Sequence, residues 1–234
     1  MGCVCLLILI MQAIKEENEN GTSEHQCVMG LSDAEFFWGH YLTALFTFLI
    51  PSCVAIAVMY FAGSKEHPYG PGMNLSLVIV SFVMFAIQGS LLTIFIMWVF
   101  PTGYMCLGLT IVLNLCTPVL LPASRATSLP GYFLLAKKAK LMTAVLPHTS
   151  LYGVLKILCI ARDYEGGASW SLLTRGVLDR DNVTIGELWG VTLICIVVMA
   201  FLTWYLSSVL PWSSNTPKSP VFCLLVWITA YFYR

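Results

Sequence analysis

Apolar and polar positions in this chain segregate on the scale of whole helices. Four long apolar runs cover residues 41–62, 75–100, 103–121 and 188–210, and none of them holds Asp, Glu, Lys or Arg. A bilayer core about 30 Å thick is crossed by about 20 apolar helical residues. Lipid offers the backbone no hydrogen-bond partner, so runs of this length are helices. A shorter run, 3–14, ends at Lys15. It has no basic start and no small-residue cleavage site, so it reads as the end of a spanning helix and not as a signal peptide. On that reading the chain is a fragment, with five membrane-embedded helical elements.

The segments between the runs predict how the helices are joined. Residues 15–40 are acidic, and Ser32 followed by Glu35 forms a capping box for a helix entering the membrane at Trp38. Pro51 lies inside the 41–62 run and predicts a kink, since proline has no N–H to give. A polar turn at 63–72 leads into the next run, whose one strongly polar side chain is Gln88. Inside lipid such a group faces the bundle, and a structural bond between helices is favoured over a substrate contact. Pro101-Thr102-Gly103 makes a close hairpin to the 103–121 run, which contains Asn114. The stretch 141–160 is apolar but broken by Pro147, His148 and Lys156. It predicts two short helices at the interface, one on each side of Pro147. Gly186-x-x-x-Gly190 opens the last run as a small-residue packing motif. The tail, 211–234, includes an apolar stretch too short to span.

Composition agrees with lipid as the solvent. The chain of 234 residues is 58% hydrophobic and 10% charged, against about 25% charged in soluble domains. Its net charge is zero, which gives no footprint for nucleic acid. The nine cysteines lie mostly inside apolar runs and form no CxxC, so they read as small hydrophobes and no metal site is expected. No Walker A loop, Gly-x-Ser-x-Gly, HExxH or EF-hand sequence occurs. His148, Arg162, Asp163 and Glu165 are a polar group without catalytic spacing. No catalytic, cofactor-binding or metal residue is predicted, and the chain is not expected to be an enzyme by itself.

Three local patterns then converge. Val28-Met29-Gly30-Leu31 with Phe37-Trp38 resembles the Met-Gly-Leu…Trp segment after the second membrane helix of the A subfamily of ABC transporters. Tyr164-Glu165-Gly166-Gly167-Ala168-Ser169-Trp170 resembles the acidic, glycine and tryptophan segment before that family's last helix. Leu202-Thr203-Trp204-Tyr205-Leu206-Ser207-Ser208-Val209-Leu210-Pro211 is similar to the exit of its sixth helix. Order and spacing agree over about 5–212, and the last pattern resembles the first, N-terminal membrane half. After Pro211 the chain departs from the family pattern.

The resemblance implies an all-α polytopic membrane bundle, the transmembrane half of a type II-like ABC exporter, in a plasma or intracellular vesicle membrane. It divides the chain into a truncated helix at 1–14 and a cytoplasmic coupling segment at 15–40. Three membrane helices follow within 41–122, then an exoplasmic helical hairpin and loop at 123–187. The last helix is 188–210, and a divergent tail covers 211–234. It implies transport of phospholipid or sterol, with ATP and Mg on nucleotide-binding domains outside this chain. The partners implied are lipids, such a domain and a second membrane half. Met29, Gly30, Leu31 and Trp38 would couple to the ATPase domain.

Asn74-Leu75-Ser76 and Asn182-Val183-Thr184 are sequons on the implied outside, and Asn20-Gly21-Thr22 is one on the implied inside. The basic residues point the other way: eight of the twelve Lys and Arg lie between Arg125 and Arg180. Two rival readings are a non-transporting scaffold or receptor-like bundle, and a channel. The channel has no selectivity-filter sequence or charged ring to support it. Docking on a nucleotide-binding domain by 29–38 separates transporter from scaffold.

Overall fold

The computed structural model describes residues 33–61, 73–100, 136–165, 167–177 and 183–210, with isolated positions at 12, 16, 20, 25, 28–30, 105, 108, 109 and 112. The 3–14 run, most of the 103–121 run and the 211–234 tail lie outside the described residues. The described chain is helical: α1 (Asp33–Phe61), α2 (Leu75–Val99), α3 (Lys137–Thr143), α4 (Pro147–Glu165), a 3₁₀ turn at Trp170–Leu173, and α5 (Ile185–Val209). Its only extended pairing among these residues is a single parallel bridge between Met73 and Ala168. Three helices are long and apolar enough to cross a membrane: Glu35–Phe61, Leu75–Val99 and Ile185–Val209.

α2 begins and ends within one residue of its apolar run, because both ends carry stop signals. Asn74 caps it, its Oδ1 accepting from the Ser76 N–H at 3.2 Å and from the Ser76 hydroxyl at 2.7 Å. α1 starts at Asp33, where the cap expected at Ser32 puts it. The helix expected to enter at Trp38 and the span after it are one uninterrupted helix of 29 residues, beginning two turns before the apolar run. Glu35 lies in that first turn, and Ser32 lies outside the described residues. Pro51 is accommodated without a break. The residues around it return side-chain bonds to the backbone: Thr47 Oγ1 donates to Thr43 O at 2.8 Å and Ser52 Oγ to Phe48 O at 2.7 Å.

α2 is the central post, with fourteen buried residues against four on α5. α1 lies antiparallel to it. At one end of the pair the Tyr60 hydroxyl donates to Met73 O at 3.1 Å, and at the other Phe36 meets Trp98 edge-on at 6.5 Å. Midway, a Cβ on Gly89 would meet the Phe48 ring at 3.0 Å, so the helices are close there because Gly89 has none. Phe48, Phe85, Ala86 and Ile96 form the core of this contact. Hydroxyls buried along α2 bond inside their own helix, as Ser81 does to Leu77 O and Thr93 to Gly89 O. They therefore pack between helices without an unmet donor. The outer faces of α1 (Leu42, Phe46, Ile50, Val54, Val58) and α5 (Ile194, Val197, Phe201) are exposed and apolar, as lipid solvation allows.

The second core joins α2 to the hairpin. Leu77, Val78 and Phe82 pack with Val154, Ile157, Leu158 and Ala161 of α4, and with Leu172, Val177, Ile185 and Leu188. The helices before and after Pro147 are both present. Pro147 is the first residue of α4, where its missing N–H costs nothing. α4 is longer than the expected short interfacial helix. It runs 19 residues, and its apolar face belongs to the bundle core. α5 starts on the same side as α2. Trp170 links the two by donating to Ser76 Oγ at 3.1 Å and stacking edge-on against Trp189 at 6.2 Å.

Candidate functional site

The hairpin α3–α4 reaches the middle of the bundle. Its turn, 144–146, meets Gln88, thirteen residues and roughly 20 Å along α2 from its start. The Gln88 Nε2 donates to Val145 O at 2.7 Å. His148, one residue into α4, lies edge-on to Phe85 at 5.3 Å. From there α4 rises antiparallel to α2 until Ala168 bridges to Met73. In the first turn of α4, the Ser150 and Thr192 hydroxyls meet at 2.7 Å, both buried, and tie α4 to α5. The polar side chain of the second span is thus a bond between segments, as its sequence context predicts, and it places the hairpin tip at mid-depth.

An ion pair and a helix cap meet at the mouth of the hairpin. Lys137 Nζ, at the start of α3, pairs with Glu187 Oε1 at 2.5 Å. Glu187 also closes a capping box: its N–H donates to Thr184 Oγ1 at 3.2 Å, and its other carboxylate oxygen accepts from the Thr184 N–H at 3.3 Å. Thr184-x-x-Glu187 fits the capping-box pattern in the sequence but lies ahead of the apolar run. We expect Glu187→Ala to lower stability by about 1 kcal/mol, mostly through the cap. The ion pair is half exposed and adds little. Glu187→Gln keeps an oxygen for the Thr184 N–H and should recover at least half the loss. Thermal unfolding of the detergent-solubilised variants measures this, and equal losses for the two would assign the effect to the ion pair.

Of the polar group His148, Arg162, Asp163 and Glu165, His148 does not join Arg162 and Asp163. Arg162 pairs with its neighbour Asp163 at 2.6 Å, while His148 stands at the opposite end of the same helix, fourteen residues away. Among the described residues no three His, Cys, Asp or Glu side chains are placed to hold a metal ion.

Of the predicted coupling residues, Trp38 lies at the other end of the bundle, in the first turns of α1. Met29 and Trp38 are exposed, at 81% and 57%. Gly30 has φ of 100°, a conformation that only glycine adopts without strain. Trp38 sits on the outer side of the first turns of α1, against Phe37 and Tyr41. Leu31 lies outside the described residues. Of the two sequons on the implied outside, Asn74 is the cap of α2, and its Ser76 already bonds Asn74 and Trp170. Asn182 lies outside the described residues, next to the buried Val183. Trp38 is therefore at the end of α1 opposite Asn74, Trp170 and Val183.

With three apolar helices of spanning length among the described residues, the chain is an integral multi-pass membrane protein. Comparison with curated proteins gave no match. The profile described as ABC-2 family transporter protein matches residues 1–209, nearly all the chain and all the helices above. Membrane domains of this family are the non-catalytic part of ABC transport systems and work with nucleotide-binding domains. The chain belongs to the ABC-2 family of transporter proteins.

Proposed function

We propose that the chain is the membrane part of an ATP-driven lipid transporter of the A subfamily, moving phospholipid or sterol with energy from a nucleotide-binding domain. A second membrane half completes the lipid path. The observation that carries the reading is the unbroken helix α1. Its first turns, with Trp38, and the span packed on α2 form one rigid body. A push on the exposed Trp38 end of α1 would therefore be delivered to the contact at Phe48 and Gly89. Met29 and Leu31 supply apolar docking side chains, and Gly30 the close turn between them. In this reading 15–40 is cytoplasmic, while Asn74, Asn182 and the hairpin mouth face the other side, where both asparagines are candidate glycan acceptors.

The test places Met29→Glu and Leu31→Glu in a full-length homologous transporter. Lipid export and substrate-stimulated ATP hydrolysis should fall about tenfold or more, since a charge replaces an apolar contact at a docking surface. Folding and delivery to the surface should persist. Wild-type levels of both activities would make the segment an interfacial anchor and return the scaffold reading.

A further inference from the structure

The hairpin tip holds two polar atoms that the described chain does not satisfy. Gln88 Oε1 and His148 Nε2 are both buried and have no hydrogen-bond partner among the described residues. Gln88 is 2% exposed. Its amide is oriented by the bond from Nε2 to Val145 O, because the flipped amide would set two carbonyl oxygens against each other. The acceptor Oε1 is therefore what remains. A buried polar group without a partner costs about 1–3 kcal/mol, which a folded chain carries only where something else serves it.

The two atoms belong to one place. Phe85 and Gln88 are three residues apart on one face of α2, and Val145 and His148 are three apart across the turn. Phe85 touches His148, and Gln88 touches Val145. An amide oxygen that can only accept and an imidazole nitrogen that can donate or accept, held on contacting segments, suit a group that both donates and accepts, which is a hydroxyl. They do not suit a phosphate or carboxylate. The amide oxygen would repel an anion, and neither α2 nor residues 143–150 hold a Lys or Arg. Depth narrows the choice further. A lipid at rest keeps its head at the interface, whereas this site is roughly 20 Å along α2 from its outer end.

We propose that Gln88 and His148 form a mid-bundle binding site for the hydroxyl of an uncharged lipid in passage between leaflets. The inference rests on the lipid-transport reading above. Water is the other source of an O–H group, and the experiment separates the two.

The full chain is placed in phosphatidylcholine vesicles with a photoreactive, alkyne-bearing diacylglycerol. Saturable labelling should map to peptides containing 85–88 and 145–150. Unlabelled diacylglycerol should compete, and its 3-O-methyl ether about tenfold less well, since it has lost the O–H donor. His148→Phe keeps the aromatic contact with Phe85 and should cut labelling about tenfold, while His148→Gln restores it in part. Gln88→Met should do the same as His148→Phe. If it unfolds for want of the Val145 bond, the His148 pair carries the test alone.

Equal competition by the ether overturns the site. So does labelling that never saturates. Absence of label at the tip assigns the two atoms to water and also overturns it. Labelling lost with ATP-driven lipid movement intact sinks this site alone. Labelling intact with no such movement in the assembled transporter sinks the transport reading instead.

Discussion

Gly186→Ala should destabilise the bundle, while Gly190→Ala should stabilise it slightly. Both glycines belong to one small-residue motif, yet they meet different surroundings. A Cβ on Gly186 would collide with the backbone oxygen of Leu173, in the 3₁₀ turn that closes the hairpin over α5. A backbone carbonyl cannot rotate away as a flexible side chain can, so the turn or the helix must move. Overpacking of this kind costs about 1–3 kcal/mol. The helix-propensity gain of alanine is small here, because Gly186 is the second residue of α5. At Gly190 nothing lies within 4 Å, so alanine brings only its propensity, up to about 1 kcal/mol mid-helix. The two variants should differ by about 2–4 kcal/mol. Thermal or denaturant unfolding in one detergent measures the gap. Equal midpoints would mean that the 3₁₀ turn does not bear on α5.

The same pair shows what a pattern can and cannot carry. Gly186-x-x-x-Gly190 marks two small residues on one helix face, and one of them has a neighbour. Which one depends on Leu173, and the spacing holds no information about it. Run length and charge-free composition place α2 to within a residue, since Asn74 caps its start and the sequence has Pro101 just past its end. They shorten α1, because its first two turns are polar enough to fail an apolar count while still being helical. Pro147 divides the hairpin correctly, for the local reason that proline suits a first helical position. The depth of the hairpin is not local. It is fixed by Gln88 and Val145, 57 residues apart, and by the Ser150–Thr192 contact, 42 apart. The sequence marks Gln88 as bonded and leaves its partner open. The candidate hydroxyl site was illegible for the same reason. His148 reads as one of a polar group with Arg162 and Asp163, and only the direction of α4 brings it to Phe85 instead. The polar interior was legible as residue types, yet the self-satisfied hydroxyls of α2 and the unsatisfied amide of Gln88 look alike until partners are known.

Cysteines introduced at Trp38 and at Trp170 should be labelled from opposite sides of the membrane. Both residues are exposed, at 57% and 44%, so an impermeant thiol reagent can reach either. All nine native cysteines need replacing first, the exposed Cys53 among them. Opposite sides follow from the fold. α1 and α2 are antiparallel, Trp38 is at the Phe36–Trp98 end, and Trp170 is bonded to Ser76 at the other. Which side is which pits two arguments against each other. Lys and Arg are concentrated at 125–180, and cytoplasmic loops gather such residues. That rule is read over short loops and weakens near about 60 residues, which is close to the length here. Several of these charges are also committed to structure, as Lys137 is to Glu187 and Arg162 to Asp163. A nucleotide-binding domain needs an exposed end free of the hairpin, and among the described residues the Trp38 end is free of it. We therefore expect reagent outside intact cells to label position 170, and position 38 only after permeabilisation. Labelling of both from outside would overturn the antiparallel packing of α1 on α2. Labelling of 38 alone from outside would keep the fold, turn the bundle over in the membrane, and remove the coupling role from Met29, Gly30 and Trp38.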